Sequence, residues 1–191
     1  AHRLDSSWLA IEYPNRGKKV YRKKISMEAL LQKDYGKARD CTLTSLTSIF
    51  GKEYYSDIEE IAEKYGYEGN KKGTNPLTVR NIMREFMNQR SIPGTPKSAY
   101  GKGIGWTWKS VKRLISTDIP VILNLWDDGR KYYHDHSVTI VGIEEYEHAR
   151  FLIVLDNWSK KPAFVDYGKL CMISSLNWIE KEGENYENRI R

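Results

Sequence analysis

The spacing of the apolar residues changes once along this 191-residue chain, and that change restricts its fold more than any other feature. Through the first part they recur every three or four positions, the mark of helices with one buried side. Leu43, Leu46 and Phe50 share such a side over residues 41–50; Asp40 is placed to accept free backbone N–H groups at the start, and Gly51 ends the pattern. Ile58, Ile61, Ala62 and Tyr65 form a second stripe, opened by Ser56 and Glu59 as a capping box and closed by Gly66. Asn75-Pro76 opens a third, with Val79, Ile82, Met83 and Phe86 inward. Residues 108–116 give a fourth, with Trp108, Val111, Leu114 and Ile115 on its buried side, and a short helix is expected over 27–33.

From residue 119 the period shortens. Residues 119–126, 136–143, 151–156, 163–167 and 170–174 are rich in Val, Ile and aromatics and are separated by Gly, Asp, Asn and Lys, as strands are. Helices followed by strands make an α+β chain, and the short connections favour an antiparallel sheet. At this length, with 40% hydrophobic residues, one domain is expected rather than two. A basic arm or edge strand over 1–26 precedes it, and the domain, 27–191, divides into a helical lobe, 27–118, and a sheet lobe, 119–180. Residues 88–105 carry Pro93, Pro96, Gly101, Gly103 and Gly105 and are expected as a long loop whose last part borders a cleft.

Charge and cysteine content exclude several classes. The 31 Lys+Arg against 25 Asp+Glu leave +6, too diffuse for a nucleic-acid binder without a stacking platform or recognition module. No apolar run approaches the roughly 18 residues a membrane-spanning helix needs, so no membrane insertion is expected. Cys41 and Cys171 are the only cysteines, which leaves either one bridge or two thiols and no disulfide framework.

Three residues could carry chemistry together. Cys41 falls in the first turn of its helix, where unpaired N–H groups and the helix dipole favour a thiolate; the alternative is a small buried hydrophobe. His136 opens one strand and Asp156 closes the next, so a hairpin through 144–150 brings the two ends together and lets the carboxylate accept an imidazole N–H. The alternative is a polar strand cap and a turn residue. His134 and His136 could offer two metal ligands from one strand face, but His148 falls in the hairpin turn and no third ligand is near, so no metal is expected. Gly101, Gly103 and Gly105 lack the Gly-Lys-Ser/Thr ending and preceding strand of a phosphate loop, and no cofactor is expected.

The segment Asp-Cys-Thr-Leu-Thr-Ser-Leu-Thr-Ser-Ile-Phe beginning at Asp40 resembles the nucleophile helix of papain-like cysteine peptidases, in particular the bacterial branch related to bacteriocin-leader-processing (double-glycine) peptidases. Trp-Lys-Ser-Val-Lys-Arg-Leu-Ile from Trp108, His-Ser-Val-Thr-Ile-Val-Gly-Ile from His136 and Val-Leu-Asp-Asn-Trp from Val154 resemble its later segments in the same order, over about residues 38–160. The resemblance implies a papain-like fold, with the nucleophile helix packed on an antiparallel sheet. It further implies a thiol protease that hydrolyses a peptide or other amide bond, with Cys41 as nucleophile, His136 as base and Asp156 as orienting carboxylate; Asn157 is the substitute one position on. The glutamine that the family places shortly before its cysteine falls on Tyr35 here, and the nearest glutamine is Gln32, so these two are the candidate oxyanion donors.

With 13 Tyr and 6 Trp, an aromatic-lined cleft is expected, formed by Trp106, Trp108, Trp158 and His134. The implied partner is a peptide or protein substrate, cell-wall peptide included. The implied location is secreted or at a bacterial cell surface with a signal peptide removed; the cytoplasm is the alternative. The rival function is a catalytically degenerate papain-like domain that binds peptide or cell-wall glycan without turnover.

Overall fold

The computed structural model describes residues 1–181. In chain order the elements are α1 (Ser6–Glu12), β1 (Lys19–Lys24), α2 (Cys41–Phe50), α3 (Tyr55–Lys64), α4 (Val79–Arg90), β2 (Thr95–Tyr100), α5 (Trp108–Ser116), β3 (Val121–Asp127), β4 (His134–Tyr146), β5 (Arg150–Leu155), β6 (Ala163–Asp166) and β7 (Ser174–Glu180). The fold is mixed α+β, with all strand pairs antiparallel in one seven-stranded sheet of order β2-β7-β3-β4-β5-β6. β1 takes the place beside the second half of β4 that β3 occupies beside the first half. A bulge between Ile140 and Gly142 divides the halves, and a Cβ on Gly142 would stand 2.7 Å from the Lys23 carbonyl, so this crossing of β1 needs glycine.

Both faces of the sheet are buried, because apolar residues of its central strands fall on both of them. Val121, Leu123 and Leu125 pack with Trp108, Val111, Leu114 and Ile115 of α5. Ile122, between them in sequence, packs on the other face with α2, α3 and α4. That second face continues to Val141, Phe151, Ile153 and Leu155, which bury Leu4 and Leu9 from the N-terminal segment. α5, assigned by sequence order to a helical lobe, therefore lies across the sheet from the other helices. Alternation along β3 demands it: two apolar faces require two covers.

Several local expectations change. The arm 1–26 contains α1, capped by Asp5, whose carboxylate accepts from Ser7 N. Residues 27–33 give only the 3-10 turn Gln32–Asp34. Asp40 does not cap α2 with its side chain; its carboxylate accepts from Tyr55 Oη at 2.8 Å instead. α3 starts directly after the 3-10 turn Lys52–Tyr54, so Ser56 lies inside the helix and cannot cap it. Asn75 does cap, accepting from Leu77 N at 3.0 Å. Residues 88–105 hold a strand, β2, paired along β7, and the strand expected at 170–174 is a turn leading to β7. Pro96 is accommodated in β2 because that strand is at the sheet edge. Among the described residues no helix is long and apolar enough to cross a membrane.

Candidate active site

Cys41 is the first residue of α2, and among the described residues nothing accepts from the backbone N–H groups of Cys41, Thr42 or Leu43. The helix meets the sheet at the start of β4, where Thr42 Oγ1 and Ser137 Oγ lie 2.7 Å apart and Ser137 also donates to Asn124 Oδ1. Burial pushes the Cys41 thiol up, but the hydrogen bond and positive charge of His136, with hydrogen bonds from Ser137, outweigh it, and the thiol titrates below its ordinary value. Both cysteines are free.

His136 is buried, and its Nε2 lies 2.7 Å from the main-chain oxygen of Asp156. A carbonyl can only accept, so Nε2 carries a proton and Nδ1 is the ring nitrogen left free of that bond. The indole of Trp158 stacks on the imidazole at 4.1 Å between centroids and 28° between planes. The Asp156 carboxylate is turned away from the imidazole. It accepts from Tyr133 Oη and Arg3 Nε, each at 2.6 Å, and from Trp158 N and Ser159 N, each at 3.1 Å. The residue expected to orient His136 by its side chain thus does so by its backbone.

Asn157 does not touch the imidazole with its amide either. It adopts φ 67° and aims Nδ2 at three acceptors, Cys41 O at 3.0 Å, Ser45 Oγ at 2.9 Å and Ser137 O at 3.0 Å. One NH2 group with two protons thereby ties α2 to β4. Gln32, set in the 3-10 turn, donates Nε2 to Ala38 O at 3.0 Å and accepts from Trp158 Nε1 at 3.2 Å, while its N–H donates to Asn157 O at 2.8 Å. Tyr35 stacks flat on Tyr55 at 3.9 Å and does not line the cleft.

Gln32, Cys41, Thr42, His134, His136, Ser137 and Trp158 line a cleft of about 1190 Å³. Its far wall is apolar and exposed: Tyr100, Trp126, Met172 and Ile173. His134 stands edge-on to Trp126 at 4.5 Å. Trp106 and Trp108 do not reach the cleft. Both are buried in the core on the α5 side, and Trp108 Nε1 donates to Glu145 at 2.8 Å. The helical stripe that already put Trp108 beside Val111 and Ile115 decides its place. Gly101 does border the cleft, through the loop after β2. Among the described residues no group of three or more His, Cys, Asp or Glu side chains is placed to hold a metal.

Sequence reasoning missed Asn124, Ser137, Trp126, Tyr133 and Arg3. Asn124 carries a readable signal, because a polar residue between Leu123 and Leu125 must face away from them. Trp126 and Arg3 carry none, since their placement depends on strand register and on a contact across 153 residues. The chain matches no known protein-family model and no curated protein sequence.

Proposed function

We propose that this protein is a cysteine-dependent amidohydrolase of papain-like design acting on a peptide bond or a related amide. The observation that carries the proposal is that Cys41, at an open helix N-terminus, lines the same cleft as an imidazole whose Nε2 is fixed by the Asp156 carbonyl, with His136 holding the thiol below its ordinary value. That is the arrangement a nucleophile and its base require.

In the reaction, the Cys41 thiolate attacks the amide carbonyl carbon and the carbonyl π pair moves to oxygen, where the free N–H groups at the start of α2 can donate to it. Collapse of the tetrahedral species breaks the C–N bond, and His136 gives the leaving nitrogen the proton it took from the thiol. His136 then takes a proton from water as the water attacks the thioester, and returns it to the departing sulfur. Trp158 covers the imidazole and keeps the hydrogen bond to Asp156 O out of bulk water.

The test is a digest of an unbiased peptide library by the full chain and by Cys41→Ala. Cleavage by the first and none by the second is expected; equal cleavage would sink the assignment. Iodoacetamide supplies the probe for the ion pair. Cys41 should alkylate at a pH where an ordinary thiol is protonated, and His136→Ala should abolish that reactivity, because burial alone then acts on the thiol.

A second reading, binding without turnover, has one observation behind it. Gln32 Nε2 spends one of its two protons on Ala38 O, which leaves at most one for an oxyanion. Retention of library peptides without cleavage would favour it.

A further inference from the structure

Arg3 belongs to no motif of the sequence, yet it reaches the centre of the site. Its Nε donates to Asp156 Oδ2 at 2.6 Å and its Nη2 donates to the Lys161 carbonyl. Asp156 is fully buried, and among the described residues Arg3 is its only countercharge. Tyr133 Oη and two backbone N–H groups supply its remaining donors. The segment is docked independently of this pair: Leu4 is buried among Phe151, Phe164 and Leu155, and its carbonyl accepts from Phe164 N at 2.7 Å.

Three consecutive residues, Asp156, Asn157 and Trp158, supply the contacts that hold Cys41 and His136 together: a carbonyl to the imidazole, an amide to the Cys41 and Ser137 carbonyls, and an indole over the imidazole. None of these uses the Asp156 carboxylate. That group anchors the turn from behind, and its ionic partner is Arg3. Without the guanidinium, a buried carboxylate is left with neutral donors alone, a costly state relieved by proton uptake or by rotation of the turn toward water. Either response shifts the carbonyl that fixes His136.

We propose that Arg3 is a positioning residue for the Cys41–His136 pair, acting through the Asp156 carboxylate and the turn it anchors. The proposal rests on the reading of Cys41 and His136 as nucleophile and base. The carboxylate at the third position then has a role of its own in this chain, binding an arginine from the N-terminal segment while its own backbone serves the imidazole.

The experiment alkylates Cys41 with iodoacetamide across the pH range in which histidine titrates, in the full chain and in Arg3→Gln, Arg3→Lys and His136→Ala. Peptide mapping separates Cys41 from Cys171, and thermal unfolding is recorded for each variant. Arg3→Gln should slow Cys41 alkylation about tenfold, as small misplacements of reacting groups do, and Arg3→Lys should recover most of the rate. A wild-type rate profile in Arg3→Gln, with only the melting temperature lowered, makes the ion pair merely structural and overturns the proposal. If Arg3→Gln does not fold, Tyr133→Phe removes a neutral donor from the same oxygen and should slow alkylation several-fold; an unchanged profile there overturns it as well. The two readings fail separately. A His136→Ala variant that alkylates like wild type removes both, whereas slow His136→Ala beside normal Arg3→Gln removes only the role of Arg3.

Discussion

Asn157 should be among the most sensitive positions in the molecule, and three substitutions separate the reasons. Its Nδ2 group lies within hydrogen-bond distance of Cys41 O, Ser45 Oγ and Ser137 O, the last two buried. Asn157→Ala removes these contacts, at about 1 kcal/mol per contact on average and more where an acceptor stays dry. Alanine also lacks the tolerance of asparagine for φ 67°, which adds about 1 kcal/mol. Together these give about 4 kcal/mol. For a chain of this size each kcal/mol lowers the melting temperature by about 2–4 °C, so a fall of about 8–16 °C is expected. Asn157→Gly keeps the loss of contacts but relieves the backbone, and should melt above Asn157→Ala even though glycine contributes less order. Asn157→Asp presents carboxylate oxygens to three acceptors and should be the worst of the three. Thermal unfolding by circular dichroism checks the order. If Asn157→Ala melts within about 3 °C of wild type, the tie between α2 and β4 carries little energy, contrary to the sum of its contacts.

Two further outcomes follow from groups away from the chemistry. Burial pushes the Asp40 carboxyl above its ordinary value, with the Tyr55 hydroxyl offsetting only part of that, so the folded state holds this proton more tightly than the unfolded chain. Its contribution to stability is thus present below the unfolded value of 3.8 and is lost as pH rises through the raised folded value; Asp40→Asn should flatten that part of a urea-unfolding profile, and an unchanged slope would refute it. Gly142→Ala would put a methyl group 2.7 Å from the Lys23 carbonyl, forcing β1 away from the bulge at about 1–3 kcal/mol. Hydrogen exchange should then accelerate over residues 19–24 first, and uniform protection would count against that crossing being tight.

How much of the fold could be read in the sequence depended on whether a pattern was local. The stripes Val79–Ile82–Met83–Phe86 and Trp108–Val111–Leu114–Ile115 repeat at helical spacing with polar residues between, and α4 and α5 follow them closely. Asn75-Pro76 fixes the approach to α4 because its capping contact lies within two residues. β2 was hidden behind Pro96 and a crowd of glycines, and what makes it a strand is β7, some 80 positions away, offering six paired residues. Ser56 and Glu59 look like a cap, but the 3-10 turn before them starts the helix ahead of Ser56, and propensity yields to the chain's own path.

The site divides along the same line, with a further reason. Cys41 and His136 were visible because each needs a particular local setting, a helix start and a strand start, and both line the same cleft. What holds them was not visible, because residues 156–158 exchange the roles their types suggest. The carboxylate that could serve the imidazole binds Arg3, the amide beside it binds backbone carbonyls, and a plain carbonyl takes the histidine. A carbonyl exists at every residue, so no side-chain pattern can announce this one. It becomes specific only through the positive φ of Asn157, which lets one turn present the carbonyl, the amide and the indole toward the same pair of residues, and through the Asp156 carboxylate anchored behind it.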